Sequence, residues 1–259
     1  MIYHDIIDKL KISVFNSKSH LGIAAADLAE EIIQKVIKKK GRAVIILATG
    51  ASQFEFLDSL TQRNLEWKKV IAFHLDEYVG LSQDHPASFR RYLRERFIDK
   101  TGIGEFFPIN GDCQDVQAEC TRLENLFKQY TVDIAFTGIG ENGHLAFNEP
   151  PAALKEKSAF KVIRLNDDSR QQQLGEGWFK TLDEVPLNAI TMTISAIMKS
   201  KQIICTVPDR RKADAVYKTL MEEISPWCPS SVLRKHPSAT LFLDLNSASL
   251  ILDSNAVNR

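Results

Sequence analysis

A glycine-rich segment that follows a predicted strand carries the residues best suited to proton transfer. The apolar run Val132–Phe136 predicts a buried strand, and residues 138–151 follow it with an imidazole at His144 and a carboxylate at Glu149. Histidine has an unperturbed pKa of about 6.5, so it can take up and return a proton near neutral pH. A tight turn would bring Glu149 onto the ring. The pattern predicts an active site in a crevice of an α/β fold.

The glycines at positions 138, 140 and 143 predict close contact between this segment and a ligand. Glycine tolerates positive φ, which lets nearby N–H groups face bound oxygen atoms. We therefore expect Gly140 and Gly143 to contact the substrate.

Residues 47–53 form a turn of small residues between a predicted strand and a predicted helix. Free N–H groups and the helix dipole favour an anion at the start of a helix. Thr49 and Ser52 add hydroxyls to the backbone of Gly50 and Ala51, so the turn is a candidate phosphate site.

A second candidate phosphate ligand lies at the opening of another predicted helix. Arg210, Arg211 and Lys212 follow one another there, and cations at a helix start oppose its dipole unless an anion is near. Lys212 is the predicted ligand, and simple solvent exposure is the alternative for the two arginines.

Two adjacent carboxylates, Asp76 and Glu77, directly follow the apolar run Val70–Leu75. Acidic residues are rarely buried without partners, so one of the pair is expected to face the crevice. Capping of a helix by Asp76 is the structural alternative. His74, Asp76, His85 and His144 also invite a metal hypothesis, but no His-x-x-x-His pattern organises them, and we predict no metal.

The elements that must position these residues alternate between strand and helix, which predicts an α/β fold with a mostly parallel sheet flanked by helices. The predicted strands are Ala43–Ala48, Val70–Leu75, Val132–Phe136, Lys161–Leu165, Ala189–Ile194, Gln202–Val207 and Thr240–Leu245. An apolar stripe of Ala25, Leu28, Ile32 and Val36 predicts a helix that ends at Lys38–Gly41. We expect a single domain over residues 1–259, with the segment Glu149–Ser158 as a mobile loop or lid.

The composition excludes several classes of protein. Lys plus Arg and Asp plus Glu both total 33, so the net charge is zero, and no basic excess indicates a nucleic-acid or membrane surface. The four cysteines are too far apart for a zinc knuckle, and no apolar run has the length of a signal core or a membrane span. We expect a cytoplasmic protein with reduced thiols.

With these residues identified, the chain resembles the glucosamine-6-phosphate deaminase/isomerase family, which is related to the 6-phosphogluconolactonases, over nearly its whole length. The matching segments are residues 47–50, 75–81 with 85–88, 138–150, 185–186 and 212–213. The resemblance implies a modified Rossmann-like sheet. It also implies conversion of a hexosamine 6-phosphate, foremost glucosamine 6-phosphate, to fructose 6-phosphate and ammonia, without metal or organic cofactor.

The resemblance also assigns roles to individual residues. Asp76 would move a proton between C2 and C1 of the opened sugar, and His144, supported by Glu149, would open the ring. Asn142 would belong to the same catalytic group, and Glu77 would lie at the substrate. The phosphate would be held by Thr49, Gly50, Ser52 and Lys212. Family members differ in assembly, so a homo-oligomer is one expected form.

Two departures from the family pattern bear on activity. Deaminases of the family typically carry Asp where this chain has Asn142, and an amide cannot take up a proton or stabilise an imidazolium by charge. No arginine lies in residues 175–179, where many deaminases offer one to the phosphate, so Arg164 and Arg170 are the candidates to replace it.

Two rival functions follow from the same residues. A sugar-phosphate lactone hydrolase would use His144 to activate water and would need no C2 base. A sugar-phosphate sensor without catalysis would fit Asn142, but such sensors usually carry a helix-turn-helix, and only one clear helix precedes Ala43.

Overall fold

The computed structural model describes residues 1–252, which form two β-sheets and the helices around them. The strands are β1 Tyr3–Ile7, β2 Leu10–Phe15, β3 Ala43–Leu47, β4 Val70–His74, β5 Asp76–Tyr78, β6 Glu105–Phe106, β7 Ile134–Thr137, β8 Phe160–Arg164, β9 Asn188–Met192, β10 Gln202–Val207 and β11 Ala239–Asp244. The helices are α1 Lys18–Lys40, α2 Phe54–Thr61, α3 Phe89–Leu93, α4 Asp99–Thr101, α5 Val116–Phe127, α6 Asp167–Gly175, α7 Ile194–Ile197 and α8 Ala213–Met221. Short 3₁₀ turns cover Ala51–Gln53, Trp67–Lys69, Leu182–Glu184, Arg210–Lys212 and Pro229–Lys235, and a π-helical turn covers Arg94–Ile98.

The main sheet has the strand order β1-β2-β11-β10-β7-β3-β4-β6. Its neighbouring strands run parallel except β1, which is antiparallel to β2. The prediction of a mostly parallel α/β sheet is confirmed. From β3 the chain builds outward through β4 and β6, and it then returns to the other side of β3 to add β7, β10 and β11. This reversal opens a crevice at the carboxyl ends of β3 and β7.

Both faces of the main sheet are buried, which explains its continuous apolar strands. In β3, Ile45 and Leu47 pack with α1 and α2, while Val44 and Ile46 pack with α5 and α8. The predicted stripe on α1 is correct at Ala25, which is buried, but from Leu28 onward it lies one position away from the centre of the buried face. Its fully buried residues include Ala29, Ile33 and Ile37, and Leu28, Ile32 and Val36 are only partly buried.

Two predicted strands, near residues 161–165 and 189–194, do not join the main sheet. They form β8 and β9, which pair antiparallel with each other, and β9 also pairs antiparallel with β5, so that the order is β5-β9-β8. Leu75 joins the two sheets: its N–H donates to Leu47 O at 3.1 Å, and its carbonyl accepts from Met192 N at 2.6 Å. The chain therefore leaves the main sheet at Leu75, one residue before Asp76.

No helix in the described part of the chain combines the length and the apolar character that a membrane span needs. Cys113, Cys120, Cys205 and Cys228 are all free thiols.

A buried carboxylate fixes the amino edge of the main sheet, opposite the crevice. The Asp133 side chain has no exposed surface and accepts hydrogen bonds from Lys40 Nζ at 2.7 Å and Val44 N at 3.0 Å. Lys201 Nζ is 3.3 Å away. Asp133 thus ties the end of α1 to the starts of β3 and β10.

We expect Asp133→Asn to lower the free energy of unfolding by about 2 kcal/mol, because hydrogen bonds between charged groups are lost at a buried position. Urea unfolding followed by circular dichroism measures the change. Glu31→Gln is the control, since Glu31 pairs with Lys35 on the exposed face of α1 and exposed pairs contribute little. Equal unfolding midpoints for Asp133→Asn and the wild type would contradict this role.

Candidate active site

Segments that the sequence analysis selected meet in one open pocket at the carboxyl edge of the main sheet. The predicted residues on its wall are Thr49, Gly50, Ser52, Asp76, Gly140, His144 and Lys212. They follow β3, β4, β7 and β10, which end at this edge. The fold therefore brings an imidazole, a carboxylate, a lysine and a small-residue turn around one space.

The remaining predicted residues lie outside the pocket wall: Ala51, Glu77, Asn142, Gly143 and Glu149. Asn142 and Glu149 stand directly behind His144 and act on it. Of the three glycines in the segment, only Gly143 takes a positive φ, of 86°, and it faces Cys228 rather than the pocket. Ala51, Glu77 and Gly143 thus do not line the pocket, and their contact with a substrate stays a prediction.

The Asn142 amide bridges His144 and Glu149. Its Oδ1 lies 2.8 Å from His144 Nδ1 and accepts from the His144 backbone N–H at 3.1 Å, while its Nδ2 donates to Glu149 Oε2 at 2.9 Å. Ser169 adds a second bridge, because its hydroxyl donates to Glu149 and lies 3.3 Å from His144 Nδ1. The imidazole and the Glu149 carboxylate are 3.9 Å apart.

These contacts determine where the His144 proton sits. The contacts with the His144 N–H and with Glu149 identify which atom of the Asn142 amide is the oxygen, and an amide oxygen can only accept, so the ring nitrogen beside it must be a donor. Nδ1 therefore carries the proton in the neutral ring, and Nε2 holds the free lone pair. Nε2 lies against Gly140, where an added Cβ would come within 2.2 Å of it. The ring is thus held in place with its basic nitrogen at the pocket.

Burial keeps the imidazole neutral. It lowers the pKa of His144, the Glu149 carboxylate opposes this shift, and the Lys212 ammonium adds to it. An aspartate at position 142 would add a second negative charge beside Nδ1. The neutral amide orients the ring without stabilising its protonated form.

Asp76 lies at the start of β5 with 6% of its surface exposed. Burial and the neighbouring Glu77 carboxylate raise the pKa of Asp76 to about 8. A carboxyl group with a pKa close to neutrality can both accept and return a proton, which a surface aspartate does poorly.

Hydrogen bonds from within the protein satisfy the carboxylate of Glu77. It accepts hydrogen bonds from the N–H groups of Tyr78, Phe89 and Arg90, from Ser88 Oγ and from Arg90 Nε. Successive side chains of a strand point to opposite faces. Because Glu77 is fixed toward α3, Asp76 is directed to the pocket.

The small-residue turn has an internal support that the sequence analysis missed. Gln53 Nε2 donates to Ser52 Oγ at 3.2 Å, and Gln53 Oε1 accepts from Thr206 Oγ1 at 2.9 Å. Because Ser52 Oγ accepts from Gln53, its own proton is free for a ligand in the pocket. Gly50 has φ +95°, and its carbonyl accepts from Tyr92 OH at 2.9 Å.

Lys212 faces the turn across the pocket and is nearly buried, whereas Arg210 and Arg211 are exposed. Burial lowers the pKa of Lys212, and the carboxylates of Glu176 and Glu141 oppose that shift. Solvent exposure is therefore the correct interpretation of the two arginines.

Helix α6 supplies pocket residues that the sequence analysis did not select. Gln172 and Gln173 line the pocket, and so does Glu176 directly after the helix. The segment 149–158, predicted as a lid, contributes only Glu149 to the site, behind His144. Amide and acidic side chains on a polar helix give no periodic signal for a pocket, so the sequence offered little to find them.

Neither arginine suggested as a replacement phosphate ligand reaches the pocket. Arg164 is exposed at the end of β8. Arg170 is buried, and its guanidinium donates to Leu182 O at 2.6 Å and to Val185 O at 3.3 Å. Residues 1–252 contain no group of three or more His, Cys, Asp or Glu side chains arranged to hold a metal ion.

The geometry of the pocket agrees with the family that the sequence matches. Residues 16–242 match the family described as glucosamine-6-phosphate isomerases/6-phosphogluconolactonase. The chain belongs to this family. The family covers both chemistries considered from the sequence.

Family members with curated names indicate one of those chemistries. The chain is 31% identical over 242 residues to a glucosamine-6-phosphate deaminase of Oenococcus oeni, covering 93% of this chain and 99% of that one. It is 35% identical over 229 residues to the glucosamine-6-phosphate deaminase of Listeria innocua, covering 88% and 96%.

Solved structures of the family share the fold. A monomeric glucosamine-6-phosphate deaminase is 35% identical, with a TM-score of 0.84 and coverage of 92% of this chain and 99% of that one. A 6-phosphogluconolactonase from Shewanella baltica is 18% identical, with a TM-score of 0.77 and coverage of 93% and 100%. At that identity the second similarity shows the fold alone.

We expect Asn142→Asp to raise the titration midpoint of His144 in an NMR pH titration, because a carboxylate beside Nδ1 stabilises the imidazolium. Asn125→Asp, the same change at an exposed position of α5, is the control and should leave the midpoint in place. If Asn142→Asp also left it unchanged, the described bridge would not govern the proton affinity of the ring.

Proposed function

We propose that this protein converts glucosamine 6-phosphate and water to fructose 6-phosphate and ammonia. The observation that carries the proposal is the pocket that Asp76 and His144 share with the turn at Thr49, Gly50 and Ser52. The two deaminases named above, at 31% and 35% identity over nearly their full length, support the same chemistry.

We propose that His144 opens the pyranose ring. Its unprotonated Nε2 removes the proton of the anomeric hydroxyl and then returns it to the ring oxygen, which yields the open-chain amino-aldose. Glu149 supports the transient imidazolium through Asn142 and Ser169. Glu149 and Asn142 are positioning residues here, because the ring stands between them and the pocket.

Asp76 then carries out the isomerisation. Its carboxylate takes the proton from C2, which the neighbouring aldehyde acidifies, and delivers it to C1. One proton of the amino group passes to the aldehyde oxygen, which becomes the C1 hydroxyl. The nitrogen remains on C2 as an imine until water adds there and ammonia leaves, which produces the ketone. Thr49, Gly50, Ser52 and Lys212 hold the phosphate far from the reacting carbons, which fixes their position above the carboxylate.

The proposal includes a cytoplasmic location, supported by four free cysteines. It also includes one domain for the whole activity, because residues from β3 to β10 build a single pocket.

Purified protein should release ammonia and fructose 6-phosphate from glucosamine 6-phosphate, and Asp76→Asn should reduce kcat about a thousandfold, because the base is lost. Coupled assays of both products measure the rates. Asp58→Asn, which removes a half-exposed carboxylate from α2, is the control and should retain activity.

The same variants separate the deaminase from the lactone hydrolase. Hydrolysis of 6-phosphogluconolactone that persists in Asp76→Asn, together with no product from glucosamine 6-phosphate, would assign the pocket to lactone chemistry instead.

The pKa of Asp76, raised to about 8, sets the expected pH dependence. The base must be ionised to abstract a proton, so kcat/KM should rise about tenfold per pH unit from pH 6 to 7 and level off above about pH 8. Initial rates at substrate concentrations well below KM measure this profile. A flat profile between pH 6 and 8 would contradict a buried, high-pKa base.

A further inference from the structure

An acidic residue lies in the part of the pocket where the phosphate is expected. Glu176 lines the pocket together with Gly50, Ser52 and Lys212. Its Oε2 would lie 3.7 Å from a Cβ placed on Gly50, so the carboxylate faces the phosphate-binding turn at contact distance. The mechanism proposed above gives Glu176 no task.

Neighbouring side chains hold this carboxylate in the pocket. Trp178 Nε1 donates to Glu176 Oε2 at 3.2 Å, and Gln172 Nε2 donates to Glu176 Oε1 at 3.0 Å. Trp178 also packs edge-on against Tyr92 at 6.3 Å, and Tyr92 OH donates to Gly50 O. Glu176 is thus connected through Trp178 and Tyr92 to the turn that it faces.

Its charge complements Lys212. The lysine is 5% exposed, and a buried ammonium without a counter-ion is unfavourable. Glu176 and Lys212 line the same pocket, and the charge of Glu176 raises the pKa of Lys212 against the effect of burial.

We propose that Glu176 is a specificity-determining residue that fills the phosphate subsite of the free protein, and that the phosphate group of the substrate must displace its carboxylate from the turn at Gly50. The proposal rests on the proposed function for the identity of the substrate but not for the anion subsite itself. A phosphate bound at this turn would lie beside the Glu176 carboxylate, and two negative charges in one partly enclosed pocket repel each other strongly.

This arrangement discriminates between ligands. Inorganic phosphate contacts only the phosphate subsite. These contacts alone must therefore offset the free energy needed to displace Glu176. A sugar phosphate also contacts the Asp76 and His144 end of the pocket, so it has further binding free energy to offset the same displacement. Small anions are therefore excluded while the substrate is admitted.

Calorimetric titration with inorganic phosphate tests the proposal on the full chain. Glu176→Gln keeps the side-chain shape and removes the charge, so the phosphate Kd should fall about tenfold or more, which corresponds to about 1.4 kcal/mol. The KM for glucosamine 6-phosphate should fall as well. Circular dichroism confirms that the variant is folded.

Glu141→Gln is the matched control. Glu141 also acts on Lys212, but it is not on the wall of this pocket and pairs with Arg211 at 3.4 Å. Its phosphate Kd should stay within about twofold of the wild type. An unchanged or higher Kd in Glu176→Gln, an equal fall in both variants, or no phosphate binding by either would overturn the proposal.

The two proposals can fail separately. Phosphate binding needs no turnover, so tighter phosphate binding by Glu176→Gln without any product from glucosamine 6-phosphate would support the anion subsite and reject the deaminase. Turnover of glucosamine 6-phosphate with an unchanged phosphate Kd in Glu176→Gln would support the deaminase and reject the anion subsite.

Discussion

The orientation of one short strand, β5, depends on the buried carboxylate of Glu77. Five donors from Tyr78 and the start of α3 fill its oxygens, and Leu75 joins the strand to both sheets through its backbone. These bonds leave the side chain of Asp76 no direction other than the pocket. They also place a second negative charge next to it, which contributes to its raised pKa. The position of Asp76 and its raised pKa thus both depend on Glu77.

The other half of the site depends on a neutral contact. Asn142 gives His144 the orientation that an aspartate would give, but without the charge that stabilises an imidazolium. The Glu149 carboxylate lies 3.9 Å from His144 Nδ1, and Asn142 and Ser169 link it to the ring. The site therefore keeps an imidazole, an amide and a carboxylate in contact. The electrostatic support for a protonated ring is weaker than it would be with an aspartate at position 142.

Much of the fold and of the pocket could be predicted from the sequence, because the carboxyl ends of parallel strands share one edge of the sheet. The apolar runs located β3 and β10 to within one residue, and the polar residues after them, Thr49 and Lys212, line the pocket. The strand β1 was missed because its burial alternates weakly. The separate sheet of β8 and β9 was missed because pairing partners are not encoded in local pattern.

The roles of individual carboxylates were harder to predict. Asp76 and Glu77 are neighbours of the same chemical type, and only the contacts with α3 decide which one faces the pocket. Glu176 lies between two glycines in a polar segment, where neither spacing nor hydropathy marks a ligand contact. Its place in the pocket follows from the packing of Trp178 on Tyr92, a contact between residues 86 positions apart that no local pattern reveals.

The close packing of Gly140 against His144 has a consequence for the path of the sugar. A side chain at position 140 would overlap the imidazole, and turning the ring would break the contact between Nδ1 and Asn142 Oδ1. In the proposed reaction the same nitrogen therefore serves two oxygen atoms of the sugar in succession. The sugar, held by its phosphate, is then the partner that turns between the two steps.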